Sequence, residues 1–204
     1  MIGIDFDNTI VCYDALFHTL ARERGLIPAD LPATKSHVRD HLRATGRENE
    51  WTKLQGIAYG PRIVDAVPFP GVIDFFRACQ SHKLPVCIIS HKTRRPYLGE
   101  PFDLHEAARG WLRKHGLIDA PAAPLHDGDV HLELTKQAKL ARIASARCSH
   151  FVDDLPEFLT EPAFPADVTR FLWDPAGDTT LPVGVIRLRA WSQLAPLLLR
   201  EVAA

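Results

Sequence analysis

Apolar positions along the chain fall into short β-branched runs separated by stretches with helical spacing. Met1-Ile2-Gly3-Ile4-Asp5-Phe6-Asp7 is apolar until it meets two acids, the pattern of a buried strand whose C-terminal end opens on a site. Pro85-Val86-Cys87-Ile88-Ile89 is a second such run and ends at Ser90. Val130 to Leu134 alternates, His150-Phe151-Val152 runs into Asp153-Asp154, and Val168 to Leu172 and Val183 to Leu188 complete the predicted strands. Between them lie helical patterns. Phe69-Pro70-Gly71-Val72 is expected to open one, with Pro70 in its first turn and Val72, Phe75, Phe76 and Cys79 on its apolar face. Leu104, Ala107, Ala108, Trp111 and Leu112 mark another, as do Leu140, Ile143 and Ala144 behind a Thr135 cap, and Trp191, Leu194, Leu197 and Leu198 at the end.

The stretch from Val11 to Pro68 breaks this alternation. Tyr13, Leu16, Phe17, Leu20 and Ala21 are spaced as a helix, with Asp14 near its start. Gly25 and the proline-rich segment 27–32 end it, and Val38 with Leu42, then Trp51 with Leu54 and Ala58, suggest two more helices. This reads as a helical insert (residues 11–68) in a core domain formed by 1–10 and 69–204. Such an insert is too small for much core of its own and is expected to pack over something larger. Strands alternating with helices predict the α/β class: a Rossmann-like, doubly wound parallel sheet, with ligands beyond the carboxyl ends of its strands. Asp5, Asp7, Ser90 and Asp153 all lie at such ends.

Composition narrows the function classes. The chain has 204 residues, 24 Lys plus Arg against 25 Asp plus Glu, and a formal net charge of -1. No basic surplus of the kind a general nucleic-acid binder carries is present. No apolar run approaches the roughly 18–20 residues of a membrane span. Asp5 and Asp7 interrupt what would be the core of a secretory signal. The four cysteines (Cys12, Cys79, Cys87, Cys148) form no CxxC pair. Reduced thiols in a cytoplasmic protein are the expectation.

Asp5 and Asp7 can share one side of a strand end, with Asn8-Thr9 turning the chain. Two such carboxylates repel unless a cation or proton offsets them. With Asp153 and Asp154 they make an all-oxygen set without clustered His or Cys, which points to Mg2+ over zinc. His91-Lys92-Thr93-Arg94-Arg95 follows Ser90 and offers donors for a phosphate or a second anionic group, or else is a solvated basic loop. In the insert, Lys35, His37, Arg39, His41 and Arg43 spread over more than one helix face, so only some can point toward a site. Trp51 and Tyr59 are read as packing residues, and His105, His126, His131 and His150 as structural or surface residues.

Asp5-Phe6-Asp7-Asn8-Thr9 matches the DxDxT signature of the haloacid dehalogenase (HAD) superfamily of phosphohydrolases. Ile88-Ile89-Ser90 resembles its second motif, Lys136 its third, with Lys139 a competitor, and Val152-Asp153-Asp154 its fourth. The insert stands where that superfamily's C1 cap stands. The resemblance covers nearly the whole chain and implies a Mg2+-dependent phosphatase acting on a small phosphorylated metabolite. It further implies Asp5 as nucleophile, Asp7 as general acid and base, and Ser90 and Lys136 as phosphate-stabilising groups; Asn8, Thr9, His91 and Lys92, beside these motifs, are the expected substrate contacts. Mg2+ would be held by Asp5, the Asp7 carbonyl, Asp153 and Asp154. Dehalogenase members lack the second aspartate of the first motif and need no metal, so Asp7 argues for phosphoryl transfer. A nucleotide phosphatase or phosphotransferase with the same intermediate, and a non-catalytic regulator that binds Mg2+ and phosphate, are the alternatives. A phospho-receiver domain would place its acids on different strands and would lack the insert. The expected partner is a small phosphate ester, with no nucleic acid and no membrane.

Overall fold

The computed structural model describes residues 1–202, with side-chain surroundings up to Leu198. In chain order the elements are β1 (Ile2–Ile4), β2 (Val11–Cys12), α1 (Asp14–Glu23), α2 (Lys35–Ala44), α3 (Glu48–Tyr59), β3 (Val67–Pro68), α4 (Val72–Ser81) and β4 (Val86–His91). They continue with α5 (Leu104–Lys114), β5 (Val130–Glu133), α6 (Lys136–Ser145), β6 (His150–Asp153), α7 (Pro156–Leu159), β7 (Thr169–Trp173), β8 (Val185–Leu188) and α8 (Leu194–Val202). Six strands form one sheet in the order β5-β4-β1-β6-β7-β8, every neighbouring pair parallel. The fold is therefore the expected α/β, Rossmann-like sheet.

The period of two along each strand sorts side chains onto two layers. Ile2, Ile4, Val86, Ile88, Val152 and Phe171 face the apolar cluster that also holds Phe75 and Phe76 of α4, Ala108, Trp111 and Leu112 of α5, and Leu194 and Leu198 of α8. Cys87, Ile89, Phe151 and Leu172 face the opposite cluster, covered by Leu140 and Ile143 of α6 and Phe158 and Leu159 of α7. Gly3 falls on this second face. A Cβ there would stand 2.6 Å from Phe151 Cδ2 and 3.0 Å from Cys148 Sγ, so only glycine lets β1 sit this close to its neighbours.

Helices α1, α2 and α3 pack together, and their buried residues (Phe17, Leu20, Val38, Leu42, Trp51, Leu54) belong to the same apolar cluster as the sheet face under α4 and α5. These helices thus share one apolar core with that sheet face. The two ends of the insert meet in a short antiparallel ribbon, β2 with β3, that the alternation pattern did not indicate.

Several local expectations need correction. Pro70 is not in the first turn of α4, which starts at Val72 behind Gly71 at φ +84, a left-handed conformation that excludes Pro70 from the helix. β1 ends at Ile4, because Phe6 and Asn8 already turn the chain: the Ile10 and Val11 N–H groups donate to the Phe6 carbonyl. β8 begins at Val185, and Val183 is almost fully exposed. Trp191 lies in a 3-10 turn ahead of α8. Asp14 is the first residue of α1 rather than its cap, and its Oδ1 accepts from the Lys35 N–H, tying α1 to α2. No helix among the described residues is long and apolar enough to cross a membrane.

Candidate functional site

The chain builds outward from β1 on one side (β4, β5) and then on the other (β6, β7, β8), so direction reverses at β1 and β6. A parallel sheet leaves a crevice beyond its strand ends at that point. Asp5 follows β1, its N–H donating to the Val152 carbonyl at 2.9 Å, and Asp153 ends β6. Asp5 has the parity of Gly3 and so faces the layer covered by α6. That explains which lysine reaches it.

Thr135 caps α6, its Oγ1 accepting from the Ala138 N–H at 3.0 Å. Lys139 then lies one turn in, beside Leu140 and Ile143 on the buried face. Its Nζ stands 2.7 Å from Asp5 Oδ1 and 2.6 Å from Asp153 Oδ2. Lys136, the residue first expected here, occupies the opening position of α6, half-buried and outside the cavity lining. The bridging place belongs to Lys139. Burial alone would lower the Lys139 pKa, but the carboxylates of Asp153 and Asp5 override it and hold the ammonium charged.

Asp5, Asp153 and Asp154 each offer a carboxylate oxygen, and these oxygens all lie within 4.8 Å of one another. Burial drives the Asp153 pKa up to about 7, with the Asp5 charge adding and Lys139 opposing. Burial also raises Asp154 well above the ordinary range, with help from Asp153 and Asp5. Three hard carboxylate oxygen donors set this close together, two of them in groups whose burial disfavours ionisation, suit Mg2+. Ser90 Oγ is buried at the rim of the same cavity, with no hydrogen-bond partner among the described residues. A buried hydroxyl of this kind is normally satisfied, so its orphan state marks a place for a ligand oxygen.

The Asp7 carboxylate lies outside that carboxylate cluster. Lys92 Nζ approaches its two oxygens at 2.9 and 2.7 Å, and Tyr13 Oη donates to Oδ1 at 2.6 Å. Burial, then the Asp7 charge, pushes the Tyr13 pKa well up, which keeps its hydroxyl a donor. Lys92 is 4% exposed, stands 4.8 Å from the centre of the Tyr59 ring, and its carbonyl bonds with His105 Nε2 at 2.8 Å. Lys92 is therefore committed to Asp7 rather than free for substrate.

The cavity above these groups measures about 310 Å³ and is lined by Asp5, Asp7, Asn8, Ser90, His91, Lys92, Lys139 and Asp154 from below. Lys35, Gln55 and Tyr59 line it from the insert. Asn8 sits at φ 57, a left-handed turn that asparagine tolerates, and so presents itself at the rim. Thr9 is fully buried and outside the lining, and its Oγ1, like that of Ser90, has no hydrogen-bond partner among the described residues. Thr93 lines the cavity, while Arg94 pairs with Asp103 and Arg95 donates to the Pro101 carbonyl, so neither arginine is spent on the site. Burial and Lys139 lower the His91 pKa, leaving a neutral imidazole at neutral pH. A larger groove, about 440 Å³, lies between α3 and the 98–102 segment, and Glu100 is the one acid in its lining.

Tyr13, Tyr59 and His105 are among the residues that sequence patterning assigned to packing or surface roles, and each reaches the site or a residue that lines it. All three do pack, and the signal that distinguishes them is their polar tips, which an apolar spacing rule does not weigh.

No protein-family model and no curated protein sequence matches the chain. Among solved structures, a dehalogenase is similar at TM-score 0.58 and 12% identity, over 96% of this chain and 95% of that one. A HAD family hydrolase from Deinococcus radiodurans R1 with bound phosphate and sodium is similar at TM-score 0.55 and 15% identity, over 98% and 95%. A HAD-hydrolase from Bacillus subtilis bound to magnesium is similar at TM-score 0.52 and 13% identity, over 97% of both chains. At these identities the likeness is one of architecture, and the chain has the fold of the HAD-superfamily hydrolases.

Proposed function

We propose that the chain is a HAD-type, Mg2+-dependent phosphohydrolase of the cytoplasm that acts on a small phosphorylated metabolite through an aspartyl-phosphate. In this reading residues 11–68 are a C1-type cap on a core of 1–10 and 69–204. The observation that carries it is the Lys139 ammonium bridging Asp5 and Asp153 beside the orphaned Ser90 hydroxyl. Those groups surround a space suited to a phosphoryl oxygen and a divalent ion at once.

Asp5 Oδ2 accepts no hydrogen bond from Lys139, whose contact is with Oδ1, and is the oxygen left to attack phosphorus. A new O–P bond forms on Asp5 as the ester O–P bond breaks, and the leaving oxygen takes a proton. Asp7, oriented by Lys92 and Tyr13, is the group placed for that proton and for the later proton from water. Ser90 donates to a phosphoryl oxygen, and Lys139 offsets charge on Asp5 and on the phosphoryl group. Asp5, Asp153 and Asp154 would hold Mg2+, with the Asp7 carbonyl, and the ion would offset charge on the phosphoryl oxygens. The cap excludes bulk water over the cavity. Asp7 favours phosphoryl transfer over the carbon–halogen cleavage that the name of one neighbour suggests.

Phosphate release from an aryl phosphate, with and without Mg2+, tests the reading in wild type and Asp5→Asn. Metal-dependent turnover in the wild type, abolished in the variant, is expected. Absence of turnover across a broad panel of phosphate esters would favour a non-catalytic regulator, and turnover that survives Asp5→Asn would remove the nucleophile.

A further inference from the structure

Three lysines reach the cavity, and two of them are already committed. Lys139 is bound to Asp5 and Asp153, and Lys92 to Asp7. Lys35 differs. Among the described residues no carboxylate lies within ion-pair distance of its Nζ, which instead stands over the rings of Tyr59, Phe17 and Tyr13 at 5.5, 5.7 and 6.0 Å. Its backbone is fixed at the first turn of α2: Thr34 caps the helix and the Lys35 N–H donates to Asp14 Oδ1 at 2.8 Å. The side chain is half-buried and lines the cavity from the cap side. Burial would lower its pKa, yet Tyr59, which also shares a hydrogen bond with it, and then Asp154 and Asp7 raise it, so the side chain stays an ammonium.

Gln55 and Tyr59 lie four residues apart on α3, on one helix face, and both line the same cavity. Residues 11–68 thus bring one ammonium, one amide and one phenol to the cavity that Asp5, Ser90 and Lys139 also line. That set is complementary to an anionic oxygen flanked by hydrogen-bonding groups. The phosphoryl end has its own cation in Lys139. A further ammonium that pairs with no carboxylate among the described residues is therefore matched to the leaving group rather than to the phosphoryl group.

We propose that Lys35, with Gln55 and Tyr59, is a cap-borne subsite for a second anionic group, so that the substrate is a small phosphate ester whose leaving alcohol carries a carboxylate or a second phosphate. Lys35 is the specificity-determining residue of this subsite. The inference rests on the phosphohydrolase reading above.

The test measures kcat/KM for three series matched in length: carboxyalkyl phosphates, uncharged alkyl phosphates and alkyl bisphosphates. Wild type, Lys35→Met and Lys35→Arg are compared. A carboxyalkyl phosphonate, which cannot be hydrolysed, supplies a binding readout through its effect on Tm. In the wild type one of the anionic-tailed series is expected to exceed the uncharged series by about ten- to a hundredfold, the usual range for a hydrogen bond to a charged group. Which anionic series leads separates carboxylate from phosphate. Lys35→Met is expected to collapse that ratio, chiefly through KM, and to lose stabilisation by the phosphonate, while Lys35→Arg restores much of the ratio. Equal kcat/KM for charged and uncharged tails in the wild type, with turnover intact, overturns the subsite and leaves the phosphohydrolase reading standing. A uniform loss across all series in Lys35→Met also overturns it, since the lysine then serves the phosphoryl group or the fold. No turnover of any ester in the wild type overturns both readings.

Discussion

Lys139 carries the largest burden of any single residue. It is 3% exposed and is the only ammonium bonded to both Asp5 and Asp153 among the described residues. Removing one partner of a buried ion pair strands the charges that remain, at a cost of about 3–5 kcal/mol. Lys139→Met is expected to lose that much stability in urea denaturation of the metal-free protein and to lose turnover of an aryl phosphate. Lys136→Ala, in contrast, is expected to keep turnover within about twofold, because surface substitutions away from such networks are usually near neutral. The two lysines were distinguishable only in part from sequence. Both lie on the stripe that includes Leu140 and Ile143, three and four residues apart, so helical periodicity alone admits either. What separates them is depth: Lys136 opens the helix, and Lys139 sits where the stripe passes under β1 and β6. The same limit applies to Lys92 and Lys35. A run of cations is visible in the sequence, but which carboxylate each one meets depends on side-chain paths across the cavity.

At the scale of elements, strand β1 decides the geometry of the site. Its parity turns Asp5 toward α6, and its closeness to β6 depends on Gly3. Gly3→Ala would bring a methyl group to 2.6 Å from the Phe151 ring, with Cys148 Sγ at 3.0 Å on the same side. Overpacking of this kind costs typically about 1–3 kcal/mol. A loss of that size in chemical denaturation is expected, together with a fall in kcat, because any outward shift of β1 carries Asp5 away from Asp153. A variant as stable and as active as wild type would show that the sheet has slack the structure does not display. Most of the elements were legible because each strand is a compact apolar run and each helix has a clear stripe. The β2–β3 ribbon was not, since two-residue strands carry no periodicity and are defined only by their pairing. The start of α4 was missed for a related reason: Pro70 is compatible with a first turn, and the left-handed Gly71 that displaces it leaves no trace in hydropathy.

For the whole molecule, the acidic cluster links stability to pH and to metal. An exposed aspartate titrates near ~3.9 in an unfolded chain. In the fold, burial and the Asp5 charge lift Asp153 to about 7 against the pull of Lys139, and burial with the charges of Asp153 and Asp5 lifts Asp154 as well. A carboxyl whose folded pKa is raised binds more protons in the folded state than in the unfolded one. Its contribution to stability is therefore fully present below the unfolded pKa and is lost as pH rises toward the folded pKa. Mg2+ acts in the opposite sense, since it requires the carboxylates ionised and competes with the protons they would otherwise hold. The stabilisation that Mg2+ confers is thus expected to grow from pH 5 to pH 7.5, and its binding near neutrality is expected to release protons. Thermal unfolding with and without Mg2+ at several pH values reads the first effect, as a Tm difference that widens with pH. Calorimetric titration in two buffers of different ionisation enthalpy reads the second. Acidic side chains elsewhere, such as Asp40 and Asp103, whose partners hold them below the ordinary range, lose stability as pH falls, with or without metal. Comparing the two Tm curves at each pH cancels that background and leaves the cluster. In Asp153→Asn the metal-dependent difference should shrink at every pH, and a Tm gain from Mg2+ that is the same at pH 5 and pH 7.5 in the wild type would mean that the ion binds somewhere other than these three carboxylates.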